Sequence, residues 1–310
     1  MFKFLTALLL VLFSSQIFSS ESSGMTRKVE NMSEEEREAI ESLSEMLADL
    51  SEEEREMTIA FLSLDWKDTG TYKLNQSNST ISLPEGYKLL IGEEAKKGRK
   101  LCGEPDNTNL EAAVCDADYE NTILFENLQG GYVSLDDWED LDAKSLLKSI
   151  SENTEKANKE RKKNGGGELH VTGWIQEPVL DKNTNTVYWA IEAESDEGAI
   201  VNSVAIRLGR QGFEKLVWVT NKASYVPFGG HLDVMLRSHS FDPGYRYKDY
   251  KEGDKIAGYG IATLVAATVG GKIVKAGGFA VLFKKLGGFI FAGIAALFYK
   301  FKNIFKRKED

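Results

Sequence analysis

Residues 169–220 restrict the fold more than any other part of the chain. Leu169–Gln176, Thr186–Ala193, Ile200–Leu208 and Lys215–Thr220 are four runs rich in Val, Ile, Thr, Tyr and Trp, residue types that suit a pleated, half-buried surface. Asp181–Thr186 (DKNTNT) joins the first two and Gly209-Arg210-Gln211-Gly212 the last two. A parallel return would need a crossover of a dozen or more residues, so strands this close in sequence pair antiparallel. The expected fold class is α+β: an antiparallel sheet meander with flanking helices, to which a C-terminal membrane helix or helices are added below.

Shorter strands are expected upstream, at Tyr72–Leu74, Thr80–Leu83, Tyr87–Ile91, Thr122–Phe125 and Tyr132–Leu135, with turns at Pro84-Glu85-Gly86 and Gly130-Gly131. Glu93–Leu101 reads as a short helix. Asp142–Lys163 is the clearest helix, with Leu146, Leu147, Ile150, Thr154 and Ala157 on its inner face and Gly165-Gly166-Gly167 stopping it. Upstream, SEEER occurs at Ser33–Arg37 and at Ser51–Arg55. In each copy Ser suits the N-cap and the Glu three residues on completes a capping box. Residues 24–65 therefore read as a helical arm, which either packs on the domain behind it or binds a partner.

Charge is divided unevenly. Residues 1–250 carry 27 Lys/Arg against 44 Asp/Glu, whereas residues 251–310 carry 11 against 4. An acidic body excludes nucleic acid as the expected partner, because phosphate binding needs a basic face. A basic, apolar tail suits a membrane surface. At the other end, Lys3, the apolar run from Phe4 to Phe13 and the small residues after it form a signal-peptide pattern over residues 1–22. The body is then exported. In an oxidising compartment the two cysteines, Cys102 and Cys115, most simply form a disulfide.

Ile256–Gly271 is uncharged. Gly258, Ala262, Ala266 and Gly270 recur every four residues, a small-residue face that lets helices approach closely in lipid. Residues 256–275 are accordingly expected to span the membrane, with the exported body outside and the basic tail in the cytoplasm. Residues 276–310 read as an interfacial helix or a second membrane helix. The exported domain takes residues 66–221, and residues 222–255, polar and poorly patterned, read as a linker. Expected partners are membrane lipid and a protein partner or second copy of the chain.

ISLPEGY (81–87), GYVSLDD (131–137), ANKER (157–161), GWIQEP (173–178), NTVYWA (185–190), VNSVAIRLGRQG (201–212) and YRYKDYKEGDKIAGYGIATLVA (245–266) occur in that order. Together they resemble the bacterial membrane-anchored family called domain of unknown function 2167, over residues 66–275. The resemblance implies an envelope protein with an exported body and a C-terminal anchor. It implies no activity, and the Cys102/Cys115 loop departs from its pattern.

Catalytic patterns are sparse. His231, Asp233, His239 and Asp242 fall within twelve residues and form the one candidate metal set, which would serve a metal-assisted envelope hydrolase. Solvated loop positions are the simpler account of them. Asp136–Asp142 (DDWEDLD) concentrates acids but lacks the spacing of an EF-hand, and helix capping explains it equally well. No Ser sits in a nucleophile elbow and no glycine run precedes a helix as a phosphate loop does. No catalytic residue and no cofactor is therefore expected. Trp174, Tyr188 and Trp189, with Trp218, are the candidates for a ligand surface, although Tyr188 and Trp189 must point to opposite faces of their strand. Arg207 and Arg210 read as solvated arginines near a hairpin, or as contacts for an acidic partner. The function these features support is a membrane-anchored binding or assembly module.

Overall fold

The computed structural model describes residue 48 and residues 50–269, apart from 103–105, 118, 120, 164–166, 197 and 227–229. The expected signal peptide, the first part of the helical arm, the end of the expected membrane span from Gly270 on and residues 276–310 lie outside the described residues.

Helix α1 (Glu52–Leu62) begins at the predicted capping box: Ser51 Oγ accepts from Glu54 N, and the Glu54 carboxylate accepts from Ser51 N. Phe61 and Leu62 are buried, and Phe61, Trp66 and Tyr119 pack edge to face. This part of the arm thus packs on the domain. Strands β1 (Gly70–Leu74), β2 (Ser79–Leu83) and β3 (Tyr87–Ile91) follow, then α2 (Glu93–Leu101), β4 (Leu110–Asp116), β5 (Thr122–Gln129) and β6 (Tyr132–Ser134). Helix α3 (Ala143–Lys163) is capped by Asp142, whose carboxylate accepts from Lys144 N and Ser145 N. The predicted meander is β7 (Leu169–Asp181), β8 (Thr186–Ser195), β9 (Gly198–Leu208) and β10 (Gly212–Asn221). The chain then forms α4 (His231–Ser238), β11 (His239–Phe241), β12 (Ile256–Gly260) and α5 (Ile261–Thr268).

The central sheet has seven strands in the order β3-β4-β5-β10-β9-β8-β7, every neighbour antiparallel. Pro178, which cannot donate to a ladder, lies on the edge strand β7. Alternation gives the sheet two apolar faces. On one, α3 and α5 cover Trp189, Val204, Ile206 and Phe213, while α1 and α2 cover Leu110, Ala113 and Leu124. On the other, a small antiparallel sheet of order β1-β2-β11, together with α4, covers Leu89, Val114, Phe125, Leu216 and Trp218. A fully buried side chain of these types contributes roughly 1.5–3 kcal/mol, so both layers stabilise the sheet.

Residues 222–255 are not a linker. They supply 3-10 turns at Lys222–Ser224 and Tyr247–Asp249 as well as α4 and β11, and they bury Met235, His239 and Phe241. Isolated anchors separated by polar residues leave no periodic pattern, so the segment reads as unstructured in sequence.

The expected helix from Ile256 is also corrected. Ile256–Gly260 is a strand that pairs in parallel with β6, so Gly258 is not on a helix face. Gly131, at φ 113, makes the close approach possible: a Cβ there would lie 2.7 Å from Lys255 O. Helix α5 follows, and all its residues from Ile261 to Ala267 are buried in the domain. Ala262 and Ala266 thus pack against protein. The Asp137 carboxylate accepts from Ala262 N, Thr263 N and Thr263 Oγ1 at 3.0, 3.3 and 3.2 Å, tying the start of α5 to the loop after β6. No helix among the described residues is long and apolar enough to cross a membrane.

Nor does a disulfide join Cys102 and Cys115. Both side chains belong to the apolar cluster under α1 and α2. Burial pushes the Cys115 thiol up to about 12, which keeps it protonated and unreactive.

Candidate functional site

The small sheet and α4 do not cover the whole of their face. Over β7, β8 and β9 a cavity of about 560 Å³ remains, inside the range of roughly 300–1,000 Å³ typical of small-molecule sites. Its floor is built by strand register. Thr186 lies opposite Arg207, Tyr188 opposite Ala205, and Ala190 opposite Ser203, which in turn lies opposite Trp218. Leu232 and Leu236, one turn apart on α4, form part of the roof with Tyr225 and Val226 from the preceding segment.

The aromatic wall is held from behind. Trp218 stacks on Tyr225 with ring centroids 5.6 Å apart, meets His231 edge-on at 5.4 Å, and donates Nε1–H to Asn121 Oδ1 at 3.1 Å. Gly230 packs on the Trp218 ring; a Cβ there would be 3.2 Å from the indole and 2.5 Å from Val226 O. Ser203 is 2% exposed and its hydroxyl has no partner. A buried hydroxyl without a hydrogen bond is costly, and Ser203 is among the residues that border the cavity.

At the other end stands Arg207. Its Nη1 donates to Leu236 O and His239 O, and its Nε reaches Thr186 Oγ1 at 3.4 Å. These bonds tie the C-terminal end of α4 to the sheet. Burial lowers the guanidinium pKa, while the Asp181 charge opposes that shift. Asp181 itself accepts from Asn183 N and Thr184 Oγ1 in the hairpin turn, so that turn holds itself without an ion. Arg207 is therefore not the solvated arginine expected from sequence. Arg210 is committed elsewhere, in a two-pronged pair with Asp254 at 2.7 and 2.6 Å.

Behind the cavity runs a buried polar chain. His239 Nε2 meets Ser79 Oγ at 2.9 Å, Ser79 Oγ meets Ser77 Oγ at 2.6 Å, and Ser77 N donates to the Glu111 carboxylate at 2.9 Å. Burial, reinforced by the Arg207 charge, pulls the His239 pKa down to about 3, so the ring is neutral. Glu214, fully buried opposite Arg207 on β10, accepts from Asn127 Nδ2 at 3.1 Å. Burial first, and then the Glu111 charge, raise its pKa well above the carboxylate range.

Of the residues singled out in sequence, Tyr188 lines the cavity with Trp218. Trp189, 1% exposed, is core on the opposite face, as alternation requires. Trp174 packs on that same opposite face and donates to Ala143 O at 3.2 Å, away from the cavity.

The four candidate metal ligands do not converge. His231 bonds Tyr87 Oη at 2.9 Å, Asp233 pairs with Arg237, His239 is sealed against Ser79, and Asp242 takes Lys73 Nζ at 2.6 Å. His231 and Asp233 are two apart on a helix, a spacing that points side chains in different directions. Among the described residues no group of three or more His, Cys, Asp or Glu is placed to hold a metal. Ser203, Tyr225, Leu232 and Leu236 carried no signal in sequence, because three of them lie in the segment that read as a linker.

Comparison with known proteins adds a family and a distant likeness. No curated protein matches the chain. Among solved structures, the cyanobacterial PsbP protein CyanoP of Synechocystis is 10% identical with a TM-score of 0.33, covering 58% of this chain and 94% of its own. A Bacteroides thetaiotaomicron protein is 11% identical with a TM-score of 0.28, covering 61% of this chain and 51% of its own. The family described as "Protein of unknown function (DUF2167)" matches residues 66–298, which take in the whole central sheet, the cavity and α5. On that match the chain belongs to the family of proteins of unknown function designated DUF2167.

Proposed function

We propose that this protein is a membrane-anchored envelope protein whose exported domain is a binding module rather than an enzyme, taking a small ligand between β7–β10 and α4. The observation that carries the reading is the cavity itself, which Tyr188, Trp218 and Tyr225 line and which Ser203, whose buried hydroxyl has no partner, borders. Few, placed polar groups in an aromatic-lined hollow are the chemistry of recognition. The hydrolase reading loses its support, since its four residues serve separate partners. The signal-peptide pattern and the Lys-rich apolar tail support the envelope placement. Because residues 256–269 are used by the domain, the anchor falls to residues 270–310, and membrane lipid is the partner of that tail.

Native mass spectrometry of the full chain, extracted from the membranes of its own cells, tests both halves. A discrete small-molecule adduct that disappears in Ser203→Phe, in which the phenyl ring fills the cavity, is the expected result. A bare chain in every preparation overturns the binding reading. Recovery of the intact chain, leader included, from the soluble cytoplasm overturns the envelope reading.

A further inference from the structure

We propose that the cavity takes an elongated amphiphilic anion, its carboxylate or phosphate on Arg207 and its apolar or aromatic body along Tyr188 and Trp218. The inference rests on the cavity being a ligand site, as argued above, and names the ligand's chemistry.

The first observation is a cation with no direct ion pair. Arg207 is half-buried and lines the cavity, yet among the described residues no carboxylate lies within ion-pair distance of it. Its nearest candidates are engaged. Glu214, directly opposite, turns to Asn127, Asp233 pairs with Arg237, and Asp181, which lines the same cavity and acts on Arg207 only at longer range, is hydrogen-bonded by Asn183 and Thr184. The bonds from Nη1 go to two backbone carbonyls, which orient the guanidinium but do not neutralise it. A buried cation is costly unless it meets an anion, and a guanidinium fork matches a carboxylate or phosphate.

The second observation sets the length. Arg207 and Ser203 face the cavity from the same strand, four residues apart, which is about 13 Å at the rise of a β-strand. Between them Tyr188, in register with Ala205, lines the floor, and beyond them stands Trp218. A ligand anchored on Arg207 lays an apolar body along this floor and reaches the unpartnered Ser203 hydroxyl at the far end.

The test compares matched probes on the full chain in lipid nanodiscs by isothermal titration calorimetry, with empty nanodiscs as the blank. The probes are biphenyl-4-acetate, its uncharged amide, and biphenyl-4-yl phosphate. At least one anion binds at least about tenfold more tightly than the amide, the difference expected for a hydrogen-bonded charge. Raising the salt concentration weakens the anion and leaves the amide unchanged. Whichever anion binds tighter identifies the source, a carboxylate or a phosphate ester. Arg207→Gln brings the anion down to the affinity of the amide. Because that substitution also loosens α4, the wild-type comparison stands as the primary measurement and needs no variant. Equal binding of anion and amide overturns the inference and leaves the cavity a ligand site. Absence of binding by all three probes overturns it too, and the native adduct experiment then decides separately whether the cavity binds anything.

Discussion

His239 offers a quantitative check on the buried polar chain behind the cavity. The ring is 1% exposed, bonded through Nε2 to Ser79 Oγ, and faces the Arg207 charge. Its native pKa of about 3 lies below the 6.5 of an unperturbed histidine. A group whose pKa is depressed on folding contributes stability that is complete above the unfolded value and is lost as pH falls toward the native one. Between pH 6.5 and 4.5 the unfolded chain takes up a proton that the native chain refuses. The slope approaches about 1.4 kcal/mol per unit below the unfolded pKa, and the loss over the interval is about 2.3 kcal/mol.

Replacing the ring in His239→Gln removes this slope and, by disturbing the bond to Ser79, lowers stability at pH 7.5 by roughly 2 kcal/mol. The wild type then loses its advantage as the solution is acidified, and the two proteins converge near pH 5, about 1.5 units below the unfolded pKa. Urea denaturation of both proteins at pH 7.5, 6.5, 5.5 and 4.5 measures this. Glu111 and Glu214 also titrate abnormally, but they are present in both proteins and cancel in the difference. A stability gap that stays constant from pH 7.5 to 4.5 would refute the reasoning, because it would mean that His239 takes up its proton in the folded chain as readily as in the unfolded one.

Two further perturbations probe the scaffold. Asp137→Ala removes the carboxylate that accepts from Ala262 N, Thr263 N and Thr263 Oγ1, and the loss of such a cap costs about 1–2 kcal/mol by denaturation; an unchanged midpoint would mean that α5 is not held by the loop after β6. Lys215 and Glu126 form a cross-strand ion pair 2.5 Å long with side chains 6% and 7% exposed. Lys215→Met strands the carboxylate and costs about 3–5 kcal/mol, whereas the double variant with Glu126→Leu recovers most of that loss, and a double variant as unstable as the single would count against an isolated buried pair.

Local physics made much of the scaffold legible. The four-strand meander is carried by alternation and by turn residues, and Asp142 and Ser51 announce their helices because capping is decided within three or four residues. The face assignment of Tyr188 and Trp189 follows from the two-residue period alone. Tertiary structure decided the rest. The cavity joins strands of the meander to a helix some thirty residues further on, whose buried positions are too scattered to show a period. Arg207 reads as an ordinary surface cation until α4 is laid across it and its neighbours are seen to be engaged. Residues 261–268 show the limit most sharply. An uncharged helix of small and branched residues satisfies its own backbone and asks only for apolar surroundings, which acyl chains and a protein core supply equally well. Composition cannot distinguish the two; the parallel pairing of Ile256 with Tyr132 and the capping carboxylate of Asp137 place this helix in the core.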